Sequence, residues 1–318
     1  MSKSNLTKLI VLTVIALVLI AIFMLIQSGG NWDYILPRRG KKVLAMVLTG
    51  GAIAFSTVVF QTITNNRILT PSIMGLDSLY MLFQTFMVYA FGSVSLTMMG
   101  KNVNFLISVG MMAVFSVVFY KLLFKREGQN IYFLLLLGLI FGTLFQSLSS
   151  FMEVLIDPNE FQIVQDKMFA SFNNVNSDLL LVSAAGIVLV TAYFTRYTKY
   201  LDVIAMGRDH AVDLGVDYDR VVKRLLIVVA VLISIATALV GPITFLGLLV
   251  ANVAYQLMRT YRHALLIPAA VLISIVALVG GQLLVERVFT FSSTLSVIIN
   301  MVGGVYFIYL LLKGSKSS

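Results

Sequence analysis

Uncharged stretches of spanning length recur along the whole chain, separated by short clusters of charge, and this alternation dominates the sequence. A helix rises 1.5 Å per residue, so about 20 apolar residues cross a bilayer core of about 30 Å. No water is present there to pair backbone N–H and C=O groups, so each such stretch is predicted to be helical. The expected spans are Leu9–Ile26, Val43–Thr64, Met74–Phe91, Asn102–Tyr120, Ile131–Ser150, Leu179–Thr195, Val222–Val240, Ile243–Met258, Ala264–Val285 and Thr294–Leu312. The pattern therefore predicts an all-α integral membrane protein with about ten transmembrane helices, residues 1–318 forming one membrane domain.

One run resists simple counting. Between Arg224 and Arg259 there is no charge, and the stretch is too long for one crossing and too short for two full ones. Gly241-Pro242 interrupts it near the middle, and proline removes a helical donor while clashing with the preceding turn. A tight hairpin between two short spans is expected, with a single kinked, tilted helix as the alternative. At the other extreme, Leu9–Ile26 is longer than a signal-peptide core and lacks a small-residue cleavage site behind it, so it is read as a retained span.

Composition agrees with a bilayer solvent. Of 318 residues, 59% are apolar and 12% charged, and the mean hydropathy is +0.96, whereas a soluble domain carries about 25% charge. The absence of cysteine removes disulfides, thiolate metal sites and cysteine nucleophiles. The net charge of +9 suits basic loops at a cytoplasmic surface, so no nucleic-acid partner is expected.

Loop charges orient the chain. With both termini in the cytoplasm, the inner segments hold Lys3, Lys8, Arg67, Lys121, Lys125, Arg126, Arg196, Lys199, Arg208, Arg220, Lys223, Arg224, Arg259, Arg262, Lys313 and Lys316, as the positive-inside rule requires. The longest outer segment, Phe151 to Asp178, is acidic through Glu153, Asp157, Glu160, Asp166 and Asp178. One outer loop breaks the rule, since Arg38, Arg39, Lys41 and Lys42 lie together after Leu36-Pro37. Two accounts fit: anchoring to lipid headgroups beside Trp32 and Tyr34, or a docking patch for an acidic soluble partner.

Candidate chemistry is sparse. Ionisable side chains at membrane depth mark proton and ion paths, and Asp77 is the single carboxylate in a span-like stretch. Its place at a helix start suits plain stabilisation by the positive end of the dipole. His210 and His263 fall in or beside inner loops and are expected to be solvated; no metal site is expected. No Gly-x-x-x-x-Gly-Lys-Ser/Thr phosphate loop occurs, so any energy source is supplied by a partner or by a gradient. The inner loop from residue 196 to 224 is the most informative polar stretch. It predicts a short helix through Arg208 and Ala211, terminated by Gly215 in a left-handed cap, with Leu214 and Val216 as an apolar knob suited to a groove on another protein.

The Ala-x-x-Leu-Gly-Val pattern at 211–216, followed by Gly241-Pro242-Ile243-Thr244-Phe245-Leu246-Gly247-Leu248, resembles the permease subunits of bacterial ATP-driven importers for iron–siderophores, haem and cobalamin. Leu36-Pro37-Arg38, then Gln61 with Asn65-Asn66, Pro71 and Gly75, and the closing Gly303-Gly304-Val305-Tyr306-Phe307 extend the likeness from about residue 36 to the end.

The resemblance implies a cobalamin-importer-like permease fold in the bacterial cytoplasmic membrane. It implies a second permease subunit, identical or paralogous, two cytoplasmic ATPase subunits, and an extracellular substrate-binding lipoprotein. Under it, Gly207, Arg208, Ala211, Leu214 and Gly215 contact the ATPase. Arg38 or Arg39, together with Arg287, pair with glutamates of the binding protein. Gly241, Pro242, Gly247 and Asn252 belong to the pathway or its hinges, and the chain itself binds no cofactor, ATP being used by the partner.

Departures from the family pattern narrow the cargo. Ala251-Asn252 replaces the usual Pro-His, Ser293-Thr294-Leu295 replaces a Leu-Pro, and Asn66-Arg67 replaces Asn-Pro. A divergent ferric-siderophore subgroup fits these better than the haem or cobalamin alternatives. A secondary transporter acting alone, and an intramembrane enzyme, are the competing classes; the scarcity of ionisable groups at depth weighs against both.

Overall fold

The computed structural model describes residues 3–26, 32–98, 100–123, 131–173, 175–290 and 294–315. Lys125, Arg126, Ser293 and Lys316, named above, lie outside these residues, as do the side chains of Lys3, Lys121 and Lys313. Among the described residues every regular element is helical: α1 Lys3–Leu25, α2 Trp32–Thr64, α3 Leu76–Met98, α4 Lys101–Leu123, α5 Ile131–Leu155, α6 Pro158–Met168, α7 Ser177–Phe194, α8 Thr198–Ile204, α9 Arg208–Asp213, α10 Tyr218–Val240, α11 Leu246–Met258, α12 His263–Arg287 and α13 Leu295–Ser315. Short 3-10 turns occur at Pro71–Met74 and Thr195–Tyr197.

Seven of the helical stretches are long and apolar enough to cross a bilayer, and Leu246–Met258 and Leu295–Tyr309 are apolar but shorter. With α3, kinked at Gly92 (φ 76°, ψ 162°), the ten expected spans each have a helix. The chain is a multi-pass membrane protein.

At 33 residues, α2 is about 50 Å long and forms the axis of the bundle, buried from Ala52 to Thr64 and packed on α10, α11 and α12. It also defines two ends. Near its start, Arg39 meets the last residues of α1, and Lys42 meets Glu286 of α12. Near its finish, Thr62 meets His263 at the start of α12, which in turn meets Asp202 of α8. The expected docking and coupling regions thus lie at opposite ends of one helix. Lys8 of α1 donates to Leu257 O, and Gln256 donates to Tyr306 of α13, so both terminal helices have their free ends on the α8–α9 side.

The hairpin expectation at Gly241-Pro242 matches the structure. Helix α10 climbs from α9 to Val240, and α11 then runs back beside α2: Gly247 packs on Ile53 and Thr57, and Asn252 reaches Arg67 beyond the end of α2. Only α11 is short, because α10 begins at Tyr218, within the basic loop, capped by the Asp217 carboxylate on the N–H of Arg220.

Two features were not expected from the pattern. The acidic outer segment contains α6, entered by Asp157 capping Asn159 N and by Pro158 in the first turn, with Val164 buried against Val88 and Ile156. The start of α3 also does not lie at the bundle's end. The Pro71–Met74 turn and Gly75 (φ +77°) press into α5 two to three turns above its start, where a Cβ on Gly138 would come 3.0 Å from Met74 Cα, and one on Gly142 3.3 Å from Gly75 Cα. Gly138 and Gly142 form a Gly-x-x-x-Gly face, the pattern that lets backbones approach closely in a membrane.

Candidate functional site

The α8–α9 end is built by two short helices joined at Gly207, whose φ of +102° suits glycine. Helix α9 closes as the sequence predicts: Val216 N donates to Ala211 O at 3.0 Å and Gly215 N to Val212 O at 2.8 Å, with Gly215 at φ +80°. This is the paired bonding of a Schellman cap. Ala211 is 0% exposed and seats α9, whereas Leu214 is 62% exposed. The knob expectation needs one correction. Val216 packs half-buried against the core, and the exposed apolar partners of Leu214 are Met206 at 57% and Val212 at 51%. Helical register decides this: Val212 lies within α9, while Val216 follows the cap and turns back toward α10. Arg208 lies 3.3 Å from Asp219 and 5.9 Å from the ring centre of Tyr218, which braces α9 on α10.

At the opposite end the structure brings Arg38, Arg39 and Arg287 around the finish of α1, though they stand in different surroundings. Arg39 Nη1 donates to Phe23 O, Met24 O and Ile26 O at 3.1, 2.9 and 2.7 Å. These are the carbonyls that a helix end leaves without partners, so Arg39 caps α1. Arg287 Nη2 reaches Ile26 O at 3.3 Å from an exposed position. Arg38 is exposed and has no polar partner among the described residues. Beside them Lys42 and Glu286 pair at 2.8 Å with little exposure on either side, and Gln282 adds a bond to the same Glu286 oxygen.

Between the ends runs a central seam. Gly241 (φ +102°) ends α10, and a Cβ there would come 3.0 Å from Ala170 Cα; Ser171 N donates to Val240 O at 2.8 Å. Pro242 follows in the turn. A Cβ on Gly247 would collide with Thr57, so α11 and α2 are in close backbone approach. Asn252, where the family pattern has histidine, donates to Arg67 O and Leu248 O, both at 2.9 Å. Gln61 donates to the same Arg67 carbonyl at 2.7 Å, and the Arg67 guanidinium lies 4.6 Å from the centre of the Tyr255 ring. Asn252 therefore fastens the turn after α2 to α11.

Asp77 and His263 depart from expectation. Asp77 does occupy the first turn of α3, but that turn is recessed into the bundle, and its Oδ1 accepts from Thr237 Oγ1 at 3.1 Å. Thr237 is 19 residues along α10, about 28 Å from Tyr218. A cavity of about 10 Å³ lies among Asp77, Thr57, Thr70 and Thr237, room for about one water. His210 is exposed, as expected, whereas His263 is 3% exposed and bonded through both ring nitrogens. The missed signal was position: His263 opens a spanning helix, where its ring is carried inward rather than into the loop. Among the described residues no cluster of His, Cys, Asp and Glu could hold a metal.

A bundle with a helix at each of ten expected spans, a broken span, a close-packed glycine seam and a short helical pair at one end suits a membrane transport subunit. Comparison with known proteins gives its family: residues 4–313 match the FecCD transport family, and the chain belongs to it. It is a permease of the bacterial importer class for iron–siderophores, haem and cobalamin. The petrobactin import system permease protein YclO of Bacillus subtilis (strain 168) is 64% identical over 313 residues, covering 98% of this chain and 99% of that protein. The petrobactin import system permease protein FatC of Bacillus anthracis is 37% identical, covering 88% of this chain and 79% of that one. A solved metal-chelate type ABC transporter in an inward-facing conformation shares the fold, with a TM-score of 0.82 at 20% identity, covering 98% of this chain and all of that one.

Proposed function

We propose that this chain is the permease of an ATP-driven importer that carries ferric petrobactin across the bacterial cytoplasmic membrane. The carrying observation is the 64% identity to a petrobactin permease over 98% of the chain. Haem and cobalamin, the alternatives within the family, have no comparable support. The Arg38 end faces outward and receives a substrate-binding lipoprotein, with Arg38 and Arg287 as the exposed cations and Arg39 holding the platform. The α8–α9 end faces the cytoplasm with both termini. There an ATPase subunit seats on Met206, Val212 and Leu214, while Gly207 and Gly215 set the shape of the loop and Arg208 braces it. A second permease subunit completes the pathway, the chain itself holds no cofactor, and lipid surrounds the apolar exterior.

Within the chain, the seam carries the motion. Gly241 and Pro242 separate α10 from α11, so α11 can tilt without breaking a continuous ladder of helical bonds, and Gly247 and Asn252 keep it against α2. The test is uptake of iron-55 petrobactin by cells whose own petrobactin permeases are deleted and which express this chain with its ATPase and binding protein. Uptake should appear with the chain and vanish when the ATPase carries an inactive nucleotide site. Uptake that persists with the inactive ATPase would favour a transporter acting alone.

A further inference from the structure

Three helices meet at one imidazole, with α8 on one side and the closely packed α2 and α12 on the other. Asp202 lies on α8, His263 is the first residue of α12, and Thr62 is in the last turn of α2. Asp202 Oδ1 accepts from the backbone N–H of His263 at 2.9 Å and lies 2.6 Å from His263 Nδ1. A carboxylate has no hydrogen to give, so Nδ1 carries the proton in this contact. On the ring's far side Nε2 lies 2.7 Å from Thr62 Oγ1, which is itself 2.8 Å from Val58 O.

The placement is unusual for a cap. Helix α12 has Arg262 in its capping position, which makes no side-chain cap. The anion at its positive end comes instead from a different helix, α8, where a carboxylate is favoured by the dipole and by the unpaired N–H groups. The His263 side chain is 4% exposed and that of Asp202 44%, so one partner is sealed in the bundle and the other sits at its rim. A cleft of about 490 Å³ opens beside this bond, between α2, α7, α8 and α12, with Phe55, Thr198, Ile267 and Pro268 among its lining residues. Leu201 and Ile204 seat α8 in the core, and the hydrogen-bonded chain ties its rim to α12 and α2.

We infer that His263 is a positioning residue, the joint through which displacement of α8 is passed to α2 and α12. The inference rests on the reading above, in which α8–α9 receives an ATPase. A push on α9 reaches α8 across Gly207, and α8 pulls on α12 through its external cap and on α2 through the imidazole. The two ring nitrogens do separate work. His263→Asn keeps an amide N–H near Nδ1 and loses the reach to Thr62; His263→Gln does the reverse.

Two measurements test the joint. In vesicles holding the full importer, ATP hydrolysis and ferric petrobactin uptake are read together. His263→Ala should hydrolyse ATP at near the wild-type rate while uptake per ATP falls about tenfold, the size expected for losing a charge-assisted bond. Asp202→Asn with His263→Ala should fall further than His263→Ala alone, because Asp202 also accepts from the backbone N–H at position 263, and His263→Asn should recover more than His263→Gln where the Nδ1 contact with Asp202 carries the pull. A parallel fall of hydrolysis and uptake, with the ratio unchanged, would overturn the inference.

The second measurement is independent of cargo and motor. The chain has no cysteine, so spin labels at Lys199→Cys on α8 and Ala264→Cys on α12, both exposed positions, report their separation in the full-length protein in lipid. A narrow distance distribution that broadens in His263→Ala supports the joint; equal distributions overturn it. If the wild-type importer takes up no petrobactin, the cargo assignment fails, and the label distances still decide the joint.

Discussion

The two ends of α2 satisfy their chemistry in opposite ways. At the Arg38 end most of the charge is consumed internally, with Arg39 on three carbonyls of α1 and Lys42 on Glu286. At the α8–α9 end Arg208, Arg220 and Arg224 also find partners, but Met206, Val212 and Leu214 are left standing in the open. Internal satisfaction builds a rigid platform from which Arg38 stands out, and that suits a partner that lands and leaves. Unpartnered apolar side chains suit one that stays, because each contributes about 1.5–3 kcal/mol when fully buried.

The largest effect should therefore come from the apolar end. Val212→Asp with Leu214→Asp places two charges where a partner's groove must desolvate them. Copurification of the ATPase should be lost and uptake abolished, while the melting temperature of the isolated permease stays within a degree or two, since both side chains are exposed. A retained complex would move the seat elsewhere.

Next in size is the platform itself. Lys42→Met leaves Glu286 nearly buried with its cation gone, and breaking such a pair costs about 3–5 kcal/mol. The expected outcome is a clearly lowered melting temperature in detergent, with hydrolysis by any assembled complex intact. Gln282 still donates to Glu286, so the lower end of that range is expected.

A smaller and more specific effect belongs to Arg38. Arg38→Glu should leave stability unchanged, because this side chain has no polar partner among the described residues. It should slow association with the binding protein several-fold at low ionic strength and hardly at all in high salt, since exposed charges act mainly on encounter. Adding Arg39→Glu and Arg287→Glu should weaken docking further but also destabilise the finish of α1, so melting and docking must be read on the same samples. Association unchanged in the triple variant would discard the docking role.

The smallest effect should be at Asp219. Its bond with Arg208 is exposed on both sides, and such pairs contribute about 0–1 kcal/mol. Asp219→Asn should change uptake by less than about twofold.

How much of this was legible in the sequence depended on the range of the interaction. Spans follow from local runs of apolar residues, so all ten positions were readable, as was the break at Gly241-Pro242. Gly215 was readable for the same reason, because a left-handed cap is a property of a few adjacent residues. The recessed start of α3 was not, since it is set by Gly138 and Gly142, more than 60 residues further along the chain. Nor was the burial of His263, whose partners Thr62 and Asp202 lie on separate helices. Arg38 and Arg39 stood out by their charge against the positive-inside rule, and Arg287 joined them only through the family resemblance. Their division of labour came only from the position of the α1 carbonyls.

The central claim is that the Arg38 end meets the outside and the α8–α9 end meets the cytoplasm. In this cysteine-free chain the most direct measurement is labelling of Arg38→Cys and Leu214→Cys by a membrane-impermeant maleimide in intact protoplasts. Arg38→Cys should label at once and Leu214→Cys only after permeabilisation. Labelling of Leu214→Cys, and protection of Arg38→Cys, in intact protoplasts would contradict the account.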